Sequence, residues 1–343
     1  MIGTSIGLKV IELGYSVSMT DINPTAEGLS NALMGRWSKE GESAEFVVVA
    51  VPPKSIAGVI KEQLSLHPNA IVLETSSTKT NLALELEVLS VELNRVVLTH
   101  PISGREVNGP SAARADLFLN RAWIVSPLNQ TSENAVAEVE GLIRLIGADP
   151  YRLSVEDHDH LLATTSHLPQ VLSTVLATRI NEWGAKASLS GQGLRDLTRL
   201  ADSDPNLWLE ILSTNKEQVS KVLTNLIADL EKFDSAVRDD DSATILNIFN
   251  EGKIGRSLIS GKHGAVARDY AQCQIVIPDE PGALAKVFEI CFRDSINIED
   301  ISLEHSPAQE TGLLTLSINP QQTRLLEQSL QKLCFVFYFK EKR

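Results

Sequence analysis

The sequence predicts three folded parts in series: an α/β domain on a parallel sheet, an all-helical block, and a small α+β domain of βαββαβ order. Three observations carry this. Short β-branched runs alternate with helical periodicity up to about residue 150. Long helical patterns with few strand candidates follow from Val155, and alternating strands return at Tyr270.

Ile6, Val10 and Leu13 recur at helical spacing, Gly14 supplies a stop, and Tyr15, Val17 and Met19 then alternate, giving a helix followed by a strand that ends at Asp21. Further strands are expected at Phe46 to Val51, closed by Pro52-Pro53, and at Ala70 to Glu74, Arg95 to Leu98 and Ala122 to Val125. Buried strands separated by helices argue for a parallel sheet covered on both faces. Helical patterns then run from Val155 through Asn181, from Pro205 to about Phe233, and from Asp241 to about Asn250, with breaks at residues 188–193 and 238–242. The Gly- and Ser-containing residues 257–264 read as a linker. Beyond it come strands at Ala271 to Ile277, Ile296 to Glu304, Gly312 to Ile318 and Cys334 to Phe339, with helices after Pro281-Gly282 and from Thr323. The expected boundaries are 1–153, 154–256, a linker at 257–269, and 270–343.

At 343 residues the chain is too long for one small core. Lys and Arg number 31 against 44 Asp and Glu, a net charge of -13, which argues against a nucleic-acid partner. The longest apolar run, Leu333 to Phe339, is far below the ~18 residues a membrane span needs, so no membrane partner is expected. Cys273, Cys291 and Cys334 are widely spaced, which fits neither a disulfide framework nor a zinc site. No metal is expected, no signal peptide is visible, and a reducing cytoplasm is the simplest setting.

A dinucleotide-binding fold opens with a strand, a Gly-x-Gly-x-x-Gly turn into a helix, and a second strand ending in an acid. Gly3 stands where the third glycine would be, and Asp21 where the acid would accept hydrogen bonds from the ribose, favouring NAD over NADP. On this spacing the first strand and first two glycines would lie before Met1. Ala50, Val51 and Pro52 end the next strand and would face the cofactor crevice. Gly3 and Asp21 read equally well as plain turn residues. His100 follows a strand directly, so it is expected on a loop at the carboxyl edge of the sheet. The segment Glu74-Thr75-Ser76-Ser77-Thr78-Lys79 leaves the sheet at the same edge, with a hydroxyl that could orient an imidazole. A lone loop histidine is otherwise an ordinary solvated side chain.

With His100-Pro101-Ile102-Ser103-Gly104-Arg105-Glu106, His158-Asp159, Ser166-His167-Leu168-Pro169, and the run from Gly191 through Arg195, Asp196, Arg199 and Ser203-Asp204-Pro205 to Trp208, the chain resembles the prephenate/arogenate dehydrogenase family. The resemblance implies a Rossmann-like first domain, a dimerising helical domain, NAD as cofactor and prephenate as substrate. It makes His100 the catalytic histidine that draws the proton from the ring hydroxyl, and Ser77 the serine that bridges hydroxyl, histidine and nicotinamide; Ser76 goes with the cofactor. Arg199 would bind substrate carboxylate, with Asp196 and Trp208 holding that arginine and walling the pocket. Glu106 and Arg195 would form a charged pair at its entrance, or a plain surface ion pair. Gln170 stands where many prephenate-using members carry histidine. A neutral amide there offers no anion to the ammonium group of arogenate, which leans toward prephenate. His167 fits helix packing better than chemistry.

The last part resembles an ACT domain, through Asp279-Glu280-Pro281-Gly282-Ala283-Leu284 and the βαββαβ order. Backbone N–H groups at a helix start can hold a carboxylate. The resemblance implies tyrosine as effector, with Asp279, Pro281, Gly282, Ala283 and Asn297 around it; a purely structural, dimerising role is the alternative. The expected activity is NAD-dependent oxidative decarboxylation of prephenate by a homodimer. Arogenate dehydrogenase, or a non-catalytic amino-acid-binding regulator that lost its cofactor site, are the rivals.

Overall fold

The computed structural model describes residues 1–35, 43–89, 91–103, 109–259, 270–305 and 310–339. They fall into two compact units, Met1–Ala228 and Asp229–Arg343. The first unit begins with α1 (Ile2–Glu12) and α2 (Pro24–Met34). Asn23 caps α2 by accepting from the backbone of Thr25 and Ala26, and Gly35 ends it at φ 64°. There follow β1 (Phe46–Val49), α3 (Pro53–Leu66), β2 (Ile71–Glu74), α4 (Thr80–Val88), β3 (Val96–Pro101), β4 (Ala122–Pro127), α5 (Glu133–Ile146) and β5 (Asp149–Arg152). The strands form one sheet in the order β1-β2-β3-β4-β5. Successive residues of each strand feed opposite faces, as the pleat requires. Leu73, Val97 and Val125 pack with α1 and α5, including Ile6, Val139 and Ile143. Val72, Val96 and Leu98 pack with α3 and α4, including Ile60 and Leu86. Helices therefore cover both faces, as expected.

The sheet is not wholly parallel. β1, β2 and β3 are parallel, but β4 runs antiparallel to β3, with His100 opposite Ile124. A parallel return needs a crossover of a dozen or more residues, usually a helix. Between β3 and β4 the described residues hold only the 3-10 turn Pro110–Ala112. The strand expected at Tyr15 to Asp21 also has no ladder. Its alternation survives as facing, since Val17 and Met19 lie against Gly7 of α1, but a strand needs a hydrogen-bonding neighbour as well. β5 was not expected, because Asp-Pro-Tyr-Arg carries neither alternation nor a β-branched residue.

The helical region starts with α6 (Val155–Leu162), capped by Ser154, and passes through one π-helical turn at Ala163–His167 into α7 (Leu168–Ile180). A kinked 3-10 stretch, Asn181–Leu189, and α8 (Gln192–Thr198) lead to the 3-10 turn Arg199–Asp202. The helix expected from Pro205 to Phe233 is two, α9 (Pro205–Thr214) and α10 (Lys216–Arg238). Asn215 separates them because its amide is drawn into buried bonds elsewhere, to the Asp159 carbonyl (2.8 Å) and His167 Nδ1 (3.3 Å). α10 runs across the boundary between units, and α11 (Ser242–Ser257) follows it.

The second unit also contains β6 (Ala271–Pro278), α12 (Ala283–Arg293), β7 (Ile298–His305), β8 (Thr311–Ile318), α13 (Thr323–Lys332) and β9 (Val336–Phe339). This is the expected βαββαβ order, in an antiparallel sheet β7-β8-β6-β9. Cys273, Ile275 and Ile277 on β6 and Leu314, Leu316 and Ile318 on β8 share one face with Val287 and Ile290 of α12 and Leu326 and Leu330 of α13. Burial pushes the Cys273 thiol up to about 12, so it packs as a small hydrophobe.

Candidate functional site

The carboxyl ends of β1, β2 and β3 point to one edge of the sheet, and the candidate residues gather there. β2 ends at Glu74, which is fully buried with Lys79 in a 2.6 Å ion pair. Lys79 Nζ also donates to the Ser76 carbonyl (2.7 Å) and hydroxyl (3.1 Å), while Glu74 accepts from the backbone N–H of Ser76 (2.7 Å) and of Thr99 (3.0 Å). One buried pair thus pins the turn that presents half-buried Ser77 and ties it to β3. Burial pulls the lysine pKa down, against the attraction of Glu74.

His100 lies within β3, one residue before its end, rather than on the loop beyond it. The correction keeps it at the carboxyl edge but fixes its backbone through the pairing with β4. Its Nδ1 is 2.9 Å from His158 Nε2, and His158 Nδ1 is 2.8 Å from Asp159 Oδ1. Asp159 also accepts from the backbone N–H of Lys79 and of Thr80, both at 2.8 Å. His158 and Asp159 are both fully buried. Burial and then the Lys79 charge hold His100 well below the usual histidine range. Burial also lowers His158, against its bond to Asp159. For Asp159 burial acts upward, but the bonds from His158, Thr80 and Lys79 outweigh it and leave the carboxyl low.

The helical side supplies a second cluster. His167 is buried in the π-helical turn, edge-on to Trp208 with ring centroids 6.0 Å apart, and burial pushes its pKa down to about 4. That is a packing role. Gln170 Nε2 donates to the Leu200 carbonyl at 2.7 Å, and its Oε1 accepts from Ser203 at 3.4 Å, so the amide holds the turn that carries Arg199. Arg199 is exposed there; Asp196 accepts from Gln192 at 2.8 Å, and Arg195 is exposed on the same helix. Thr78 bonds Thr214 at 3.1 Å, tying the Ser77 loop to α9. Glu106 lies outside the described residues.

At the start of α1, a Cβ added to Gly3 would sit 3.2 Å from the Ala50 Cβ, so a side chain at residue 3 would crowd the end of β1. Asp21 Oδ1 accepts from the backbone of Asn23 at 2.8 Å. Val51 follows β1, and Pro52 flanks the start of α3. A glycine at a helix N-terminus, close against the end of β1, fits the third position of a dinucleotide-binding turn.

In the second unit, Gly282 adopts φ 90° before α12, in the left-handed region that glycine tolerates. The Ala283 N–H already donates to the Glu280 carbonyl (3.1 Å), and Asp279 N–H donates to Glu310 (2.9 Å). Asn297 donates to Glu299 at 2.7 Å. No helix among the described residues is long and apolar enough to cross a membrane, and none of their side chains cluster as a metal site.

Glu74, Lys79, His158 and Asp159 form the frame of the site, and sequence reasoning gave none of them a role. They were visible only as members of the Glu74–Lys79 segment and the His158-Asp159 motif.

Two family models match the chain: "Prephenate dehydrogenase, nucleotide-binding domain" over residues 8–151, and "Prephenate dehydrogenase, dimerization domain" over residues 154–251. "Probable prephenate dehydrogenase NovF" of Streptomyces niveus is 28% identical over 97% of this chain and 95% of its own. The cyclohexadienyl dehydrogenase of Zymomonas mobilis is 31% identical over 64% of this chain and 77% of its own. Among solved structures, the prephenate dehydrogenase of Aquifex aeolicus in complex with hydroxyphenyl propionate and NAD+ aligns with a TM-score of 0.66 at 25% identity, covering 76% of this chain and 95% of that one.

Proposed function

The chain belongs to the prephenate dehydrogenase family, and from that premise we propose that it converts prephenate to 4-hydroxyphenylpyruvate by NAD-dependent oxidative decarboxylation. The observation that carries the reading is His100, held on β3 at the sheet edge where the Ser77 turn leaves β2 and where Gly3 approaches Ala50 at the end of β1. Bound nicotinamide supplies the two-electron acceptor.

The ring nitrogen of His100 turned away from His158 accepts the proton of the substrate hydroxyl as general base. The Ser77 hydroxyl orients that proton. Arg199 pairs with substrate carboxylate through a planar fork that lysine does not provide. Proton and hydride removal leave a ring ketone, and aromatisation then drives loss of the ring carboxylate as carbon dioxide. Residues that position these groups supply most of the effect.

Gln170 offers no anion to an ammonium group, which supports prephenate over arogenate. A relative named for cyclohexadienyl substrates keeps arogenate as the second reading. The helical region acts as the homodimer interface, in keeping with the dimerization-domain match. The βαββαβ domain acts as an ACT module binding tyrosine near Gly282, in a cytoplasmic enzyme. The test is the purified chain with NAD and each substrate. NADH formed from prephenate supports the reading, and NADH from arogenate alone supports the second. No turnover, with stabilisation by tyrosine, would replace both with a binding regulator.

A further inference from the structure

We propose that His158 and Asp159 are positioning residues that fix His100 in its Nδ1–H tautomer, leaving Nε2 bare to receive the proton of the substrate hydroxyl. The argument is one of counting protons. Asp159 accepts two backbone N–H bonds, from Lys79 and Thr80, so its carboxyl is ionised. The nitrogen facing it, His158 Nδ1 at 2.8 Å, must therefore carry the proton.

A neutral His158 then has a bare Nε2. Across the 2.9 Å contact, the only proton available belongs to His100 Nδ1, which donates to His158. The reverse arrangement would need His158 doubly protonated, and a fully buried imidazolium beside Lys79 is disfavoured by desolvation and by like charge. His100 is left with Nε2 unprotonated. That is the form a general base requires, and neutral imidazole in water does not favour it. As the hydroxyl proton bonds to Nε2, the Nδ1 proton stays in its bond to His158 Nε2, and hydride transfer from the same substrate carbon to nicotinamide completes the balance. The groups that bear on this chain are Glu74 at the end of β2, Lys79 from the loop after it, Asp159 from α6, and His167 from the π-helical turn.

This rests on His100 being the base, and the test has one readout independent of turnover. Long-range nitrogen–proton NMR of histidine-labelled protein near neutral pH should show both His100 and His158 as Nδ1–H tautomers. A His100 signal in the Nε2–H form would overturn the proposal whatever the activity. In Asp159→Asn, His100 should shift toward the Nε2–H form, and kcat should fall by up to about 10⁴-fold, the loss that follows when a buried aspartate that sets a catalytic histidine's tautomer is replaced. KM and NAD affinity should stay within about threefold, and the acid limb of kcat against pH should move. His158→Gln keeps an acceptor for the His100 Nδ1 proton, so it should retain the tautomer and lose kcat by less than about tenfold. Wild-type kcat and an unmoved acid limb in Asp159→Asn would refute the proposal.

Discussion

Replacing His167 by glutamine should flatten the acid limb of the stability profile by a calculable amount. His167 is 1% exposed, and burial holds its pKa at about 4, against roughly 6.5 in an unfolded chain. Because the folded pKa is the lower one, the unfolded state binds a proton that the folded state excludes between pH ~4 and ~6.5. The stability contributed by the neutral ring is therefore complete above that window and lost as pH falls through it. Between pH ~7 and ~4 the loss through this one ring comes to about 3 kcal/mol. His100 and His158 add losses of the same sign, but these remain in the variant and cancel in the difference. Trp37, Trp123, Trp183 and Trp208 all fall within residues 1–228, so tryptophan fluorescence follows the unit that contains His167. Urea unfolding at several pH values should give profiles that converge by about 3 kcal/mol on acidification, relative to their separation near neutrality. Profiles that stay parallel would refute the assignment of His167 as a buried neutral ring.

Four further outcomes follow from the same geometry. His100→Asn should lower kcat by roughly 10²- to 10⁴-fold while calorimetric NAD affinity is unchanged; an active variant would contradict the assigned base. Lys79→Met leaves Glu74 buried without its partner and should cost about 3–5 kcal/mol, read by urea unfolding on tryptophan fluorescence; a cost below about 1 kcal/mol would show that the pair is dispensable. Gly3→Val drives a branched side chain into Ala50, 3.2 Å from the position of a Cβ, so NAD affinity should fall at least about tenfold with the circular dichroism unchanged; wild-type affinity would remove Gly3 from the cofactor site. Gly282→Val forces φ 90° on a β-branched residue and should relieve inhibition by tyrosine; unaltered inhibition would place the effector elsewhere.

The patterned parts of the fold were legible in the sequence because they rest on local periodicity. Val96, Val97 and Leu98 announce a buried strand, and the alternation of Cys273, Ile275 and Ile277 announces a half-covered one. The direction of β4 was not legible, since it depends on what the connection from β3 does in space. The break at Asn215 was hidden for a similar reason: its cause is a bond to Asp159, 56 positions away. At the site, His100, Ser77 and Arg199 could be named from motifs. Glu74, Lys79, His158 and Asp159 stood in quoted segments too, but their role as the frame was not legible, because which buried charges face one another has no periodic signature.

The most direct test of the central claim is a stoichiometry. Prephenate labelled in its ring carboxylate, incubated with the purified chain and NAD, should release labelled carbon dioxide and form NADH in equal amounts and at equal rates, with His100→Asn silent in both. Carbon dioxide released without NADH, or NADH formed without carbon dioxide, would contradict a coupled oxidative decarboxylation at this site.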